Sequence, residues 1–393
     1  MSVTETSKKS ITRSFVASTI YTTASAAVTL FTTVLIIRIL GAQVYASQIL
    51  DLAIISIITL LMEALPSSYI VFKIQDDPSW KPILITQLAI TAAATCIFVY
   101  FTSLLLPIFH TSSPWLTIYV LSMFVKRYND ILMQSSGRVH LLFLLDLVGS
   151  LSRLALIFFL YGRYSASTTV WSSLAISNII AYSAGAIYLQ CKYGECKMIS
   201  VAKQVAIINS NRKEMIEYYP NIVLKRVSDA SITLMAGVYF QSSSILATFL
   251  LAYRGVSFSN VFSRIFESIL NNKLFLDYID RQRAFFVPAL ALSSQVVAAL
   301  SAYALLKLSG MKVSEYWTLA ILSAVCWPMA YMSALRAIHY SKYNARRISI
   351  AYIYYLIVLA LSASITYALG LNSMISYSVC ILISYTALAQ KLK

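Results

Sequence analysis

Nine ionisable side chains lie deep within stretches of sequence that are otherwise almost wholly apolar, and these are the residues whose types and spacing could do chemistry. They are Lys126, Arg127 and Asp130; Asp146 and Arg153; Lys225, Arg226 and Asp229; and Arg254. Away from water each such charge costs on the order of 2.5–3.5 kcal/mol, so it is expected to face a partner, a wet cavity or a ligand. Two groups share one pattern, Lys126-Arg127-x-x-Asp130 and Lys225-Arg226-x-x-Asp229. Side chains three or four residues apart meet on a helix, so each group can neutralise itself as a local ion pair. That cannot cover the whole set, because six cations stand against three carboxylates. The surplus needs a water-filled cavity, an anionic ligand or both. Four of the six are arginines (Arg127, Arg153, Arg226 and Arg254), whose planar fork suits bidentate contact with phosphate oxygens. Asp146 and Arg153 are seven residues apart with Ser150 between them, which gives one wet helical face about 10 Å long. Asp130, Asp146 and Asp229 are the groups that could couple an ion or hold the cations in place. A Brønsted role near neutral pH would require a raised carboxyl pKa.

The elements that must position these residues follow from composition. The chain has 393 residues, 59% hydrophobic and 12% charged, with a mean hydropathy of +0.73. A soluble domain carries about 25% charged residues, so a soluble enzyme, a disordered tail and a nucleic-acid-binding domain are excluded together. The net charge of +16 instead implies basic loops and anionic membrane lipids as partners. A membrane-crossing helix needs about 20 mostly apolar residues. Twelve segments qualify: 14–40, 44–72, 83–109, 115–138, 140–162, 170–190, 217–240, 243–268, 285–308, 316–340, 348–369 and 372–390. The first runs past the length of a signal peptide's apolar region and reads as a retained span.

Lys and Arg alternate with these spans. One side takes Lys8, Lys9 and Arg13, the 191–216 linker, Lys273, Arg281 and Arg283, Arg346 and Arg347, and the tail; the other holds only Arg38, Arg163, Lys307 and Lys312. Both termini are therefore expected in the cytoplasm. The expected division is a six-helix bundle over 1–190, a cytoplasmic linker over 191–216 and a second six-helix bundle over 217–393. A faint half-chain echo, Val28-Thr29-Leu30 against Ile232-Thr233-Leu234, suits two parallel repeats. Arg38, Glu63, Arg264, Glu267 and Arg336 lie near span ends, where they can snorkel. The five cysteines form no disulfide or metal pattern, and no P-loop, zinc-binding His pair or nucleophile elbow is present. Tyr21, Tyr128, Tyr239, Tyr253 and Tyr331 lie in or near the charged spans and could line a sugar path or simply pack.

The first span, from Ser14, closes on Leu40-Gly41-Ala42 before Tyr45-Ala46, and the seventh joins Arg226-x-x-Asp229 to Gly237-Val238-Tyr239 and then Ala247. With twelve spans and a longer linker between the sixth and seventh, this layout resembles, along the whole chain, the Wzx-type O-antigen flippases of the multidrug/oligosaccharidyl-lipid/polysaccharide (MOP) exporter superfamily. The resemblance implies an all-α polytopic membrane protein of the bacterial inner membrane, with two six-helix bundles around a central cavity that opens alternately to either side. It implies a non-enzymatic transporter of undecaprenyl-pyrophosphate-linked oligosaccharide for lipopolysaccharide or related polysaccharide biosynthesis. No cofactor is implied beyond a coupling ion, H+ or Na+. Lys126, Arg127, Arg153, Lys225, Arg226 and Arg254 would contact the pyrophosphate or line the cavity. The polymerase and chain-length regulator of the same pathway would be partners, and nucleic acid would not. A small-molecule or drug exporter of the same superfamily is the alternative, although its cavity would more often be acidic. An O-antigen polymerase would need a large outer loop that this chain lacks, and peptidoglycan-precursor flippases tend to be longer.

Overall fold

A computed structural model describes residues 5–62, 67–105, 114–193, 200–240, 242–258, 273–310, 316–341, 345–371 and 373–392. Helices make up nearly all of them: α1 (Glu5–Leu35), which passes into a π-helical turn (Ile36–Leu40), α2 (Ala42–Met62), α3 (Ser67–Asp76), α4 (Trp80–Leu105), α5 (Pro114–Ser135), α6 (Val139–Leu160), α7 (Ala166–Tyr193), α8 (Val201–Ser210), α9 (Arg212–Tyr239), α10 (Ser243–Phe258), α11 (Lys273–Leu308), α12 (Tyr316–Ala324), α13 (Cys326–Ser341), α14 (Ala345–Ala368) and α15 (Met374–Leu392). Among the described residues each of the twelve expected spans falls on helix, and the chain is an all-α polytopic membrane protein. Eight described helices are long and apolar enough to cross a bilayer by length and composition. Two of the spans outside that group are α5 and α9, and the reason is the Lys-Arg-x-x-Asp charge that each carries.

Three expected segments differ in detail. Segment 44–72 divides into α2 and α3, with Glu63 outside the described residues. Segment 316–340 breaks at Val325 into α12 and α13. Pro328 explains that break: it has no N–H to offer the Ala324 carbonyl, and its ring crowds that group. Segment 243–268 is described only as far as Phe258, so Arg264 and Glu267 lie outside, as does the side chain of Arg336. The 191–216 linker contains α8, which Ser200 caps by accepting the Lys203 N–H at 3.4 Å. At the π-helical turn the chain ends its helix on Gly41, whose φ of +98° is open to glycine and rarely to other residues.

The residues cluster into two units, Met1–Thr32 with Ile55–Ile222, and Thr33–Ile54 with Val223–Lys393. In the first, α7 packs along both α5 and α6, and α4 lies against α5. The second pairs α10 with α11 and α14 with α15, while α13 contacts α11 and α15. Small residues permit these approaches, as expected where apolar burial does not distinguish a helix neighbour from lipid. A Cβ at Gly255 would strike the Ala302 backbone, and one at Gly185 would strike Leu145 and Asn129. Large apolar side chains such as Ile90, Leu104, Phe159, Ile187 and Leu300 are exposed. A soluble protein would not display so many.

Candidate functional site

In the first unit three helices bring together Lys126 of α5, Asp146 of α6 and Tyr182 of α7. The Lys126 ammonium donates to Asp146 Oδ1 at 2.7 Å and to the Tyr182 hydroxyl at 2.8 Å. Tyr182 passes its own proton donor to Asp146 Oδ1 through a short hydrogen bond. Each member thus satisfies the other two, and Lys126 also lies 4.9 Å from the centroid of the Tyr182 ring. The pair is not sealed, because the side chains of Lys126 and Asp146 keep 37% and 27% of their surface accessible. An ion pair held inside a membrane-embedded bundle marks a polar region in otherwise apolar surroundings.

The surroundings hold this cluster in place. Asn129, one turn beyond Lys126 on α5, donates through Nδ2 to the Val125 and Tyr182 carbonyls, each at 2.8 Å. It pins α5 to the backbone of the residue whose hydroxyl completes the cluster, and its Oδ1 is buried without a hydrogen bond. On the other side Ser150 bonds back to the Asp146 carbonyl at 2.8 Å and outward to Ser25 and Thr29 of α1 at 2.9 and 3.1 Å. The wet face expected around Ser150 is therefore a serine–threonine seam between α6 and α1.

The fold adds to the pairing that the spacing suggested. Lys126 takes a carboxylate from α6, twenty residues on, at 2.7 Å. Asp146 faces Lys126, whereas Arg153 lies half-buried two turns further along α6. Arg127 and Asp130 are half-buried on α5. In the second unit Lys225, Arg226 and Arg254 are half-buried, and Asp229 is exposed.

Three of the tyrosines singled out in the sequence serve packing. Tyr128 packs against the cluster of Met133, Leu142 and Leu189. Tyr239 is buried, with its hydroxyl donating to Thr366 Oγ1 at 3.1 Å and the Leu371 carbonyl at 2.8 Å, and its ring 4.8 Å from that of Tyr377. Tyr253 stacks on Phe249 at 6.2 Å. These rings form an aromatic core in the second unit, so helix packing accounts for them. Two groups escaped the sequence reading. Tyr182 carried no charge to draw notice in an apolar helix. Asp51 was visible within Ile49-Leu50-Asp51-Leu52, and it is wholly buried.

No family model matches the chain, and no curated protein does. Solved structures do. A crystal structure of a MATE protein in a complex shares 13% identity at a TM-score of 0.70, over 97% of this chain and 94% of that one. An outward-facing multidrug resistance MATE family transporter of the MOP superfamily gives 13% and 0.69 over 96% and 93%. The Vibrio cholerae MATE transporter VcmN gives 15% and 0.68 over 99% and 96%. At these identities the likeness is one of fold, and it runs the length of the chain: the protein has the fold of the MATE transporters.

Proposed function

We propose that this chain is a membrane exporter of the MOP type whose cargo is a small amphipathic organic solute. The observation that carries the reading is the accessible Lys126–Asp146–Tyr182 cluster inside a bundle whose outer surface is apolar. The whole-length likeness to proteins described as multidrug transporters supports it. So does the pairing of Lys126 with Asp146, because a neutralised cation no longer requires an anionic cargo. Transport needs no covalent step, and the bacterial inner membrane is the location we assign. Asp146 serves either as an ion-coupling carboxylate, for H+ or Na+, or as the counter-charge that keeps Lys126 in position.

A second reading, flipping of a polyprenyl-pyrophosphate-linked oligosaccharide, is favoured by one observation: Arg127, Arg153, Arg226 and Arg254 all lie within helices of the membrane region. The same experiment separates the two. Cells with the gene deleted are compared with complemented cells for retention of a fluorescent amphipathic dye and for lipid-linked oligosaccharide in the inner membrane. Dye retention that rises on deletion, with unchanged surface polysaccharide, supports the exporter. Accumulated lipid-linked repeat units with unchanged dye retention would replace it with the flippase. Surface cores bearing a single repeat unit would indicate a polymerase and overturn both.

A further inference from the structure

Residues 316–393 contain six cations, Arg336, Lys342, Arg346, Arg347, Lys391 and Lys393, and no Asp or Glu. Two cations elsewhere find carboxylates: Lys126 meets Asp146 at 2.7 Å and Lys73 meets Glu214 at 2.9 Å. Segment 316–393 supplies none of its own. Arg346 and Arg347 occupy the first turn of α14 and are exposed. The helix dipole disfavours cations at that end by a few tenths of a kcal/mol or more, so an anion bound beside them would be stabilising. Lys391, in the last turn of the adjoining α15, is exposed too, with its ammonium 4.8 Å from the centroid of the Tyr354 ring. Tyr354 is two turns from Arg347 on the same face, and helical side chains lean toward the N-terminus, which carries the ring back toward that arginine.

The same face continues as an exposed apolar stripe. Arg347, Ile350, Tyr354, Ile357 and Leu361 follow one another at intervals of three and four residues, the spacing of a single helical face. Ile350, Tyr354, Ile357 and Leu361 are 50%, 42%, 49% and 57% exposed. From Arg347 to Leu361 the stripe is about 21 Å long, comparable with an extended acyl chain. A cationic head continuous with an apolar strip of that length matches one ligand chemistry.

We propose that the α14–α15 hairpin binds an anionic phospholipid, its phosphate held by Arg346, Arg347 and Lys391 and an acyl chain lying along Ile350, Ile357 and Leu361. Clusters of Lys and Arg at helix ends attract anionic headgroups by about 1 kcal/mol per cation, so three cations set a preference of about a hundredfold over a zwitterionic lipid. The site stands on the second unit alone and does not depend on which cargo is exported. The test uses the purified full-length chain in micelles spiked with phosphatidylglycerol or phosphatidylcholine, with bound lipid counted by native mass spectrometry. Wild type should retain phosphatidylglycerol preferentially. The triple variant Arg346→Gln/Arg347→Gln/Lys391→Gln should lose that preference, Lys391→Gln alone should lose part of it, and Arg346→Lys/Arg347→Lys should keep most of it. A control that removes equal charge from the linker, Lys203→Gln/Arg212→Gln/Lys213→Gln, should behave as wild type. Undiminished preference in the triple variant, or equal loss in the control, would overturn the site. Displacement of the lipid by equimolar inorganic phosphate would overturn the lipid assignment in favour of a soluble anion.

Discussion

Removing either partner of the Lys126–Asp146 pair should cost stability, and removing both should cost less than the two losses added. The ammonium and the carboxylate are 2.7 Å apart, but with 37% and 27% of their side-chain surface accessible the interaction is partly screened. Exposed pairs contribute about 0–1 kcal/mol, whereas breaking a buried pair from one side costs about 3–5 kcal/mol. An accessible pair inside an apolar bundle falls between these limits, so Lys126→Ala and Asp146→Ala should each destabilise by about 1–3 kcal/mol. The surviving charge in either single variant has lost its counter-charge, which is why the double variant recovers part of the loss. A coupling energy of about 1–2 kcal/mol is expected from the cycle. Reversible denaturant unfolding of the purified chain in detergent, followed by helical circular dichroism, measures all four proteins under one set of conditions. Additivity within about 0.5 kcal/mol would refute the reasoning, since the two groups would then act independently despite their contact.

Tyr182→Phe should remove the shared hydroxyl, leave Lys126 and Asp146 each one hydrogen bond short, and cost about 1 kcal/mol in the same unfolding assay. Asn129→Leu should loosen the α5–α7 junction and lower dye export more than dye binding, as expected of a positioning residue; unchanged export would deny it that role. Gly185→Val and Gly255→Val should each destabilise by about 1–3 kcal/mol through overpacking, whereas Gly149→Ala should be nearly neutral, because its new methyl would meet Ala181 Cβ at an ordinary 3.4 Å. Before α4, the Ser79 hydroxyl and backbone N–H both donate to Asp77 and hold its carboxyl below the usual range. That contribution is present above the ordinary carboxyl pKa and is lost as the pH falls through the depressed one. Hydrogen exchange at the start of α4 should therefore quicken in acid for wild type and show no such acid step in Asp77→Asn.

Helix placement was legible because a bilayer imposes one coarse rule, an apolar run of sufficient length, and the described parts of the twelve expected runs are helical. Breaks inside runs were not, since Pro328 reads as an ordinary core residue unless its missing N–H is matched to the carbonyl of Ala324. Charges were easy to find for the converse reason: each stands out against apolar neighbours. Their partners were not, because local spacing favours Asp130 for Lys126 while the fold delivers Asp146 from another helix. Tyr182 and Asn129 illustrate the deeper limit. A neutral polar group in an apolar helix becomes informative only when its neighbour is known, and here that neighbour is the Lys126–Asp146 pair.

Counting Asp51 changes what the charged set asks of a cargo. The sequence offered six cations against three carboxylates. With the buried Asp51 included, the first unit holds Lys126, Arg127 and Arg153 against Asp130 and Asp146, and the second holds Lys225, Arg226 and Arg254 against Asp229 and Asp51. Each unit is left with one surplus positive charge, where the pyrophosphate reading drew on three. If the cargo is a small solute, Arg153→Gln and Arg254→Gln should leave dye export within a fewfold of wild type, because such a cargo offers no phosphate for a guanidinium to hold. If a lipid-linked pyrophosphate is moved, the same changes should abolish surface polysaccharide while the protein still inserts, and Arg→Lys at either position should restore less than half of it, for want of the bidentate fork. Wild-type behaviour of both variants in both assays would separate these arginines from transport altogether and leave the Lys126–Asp146–Tyr182 cluster as the site to pursue.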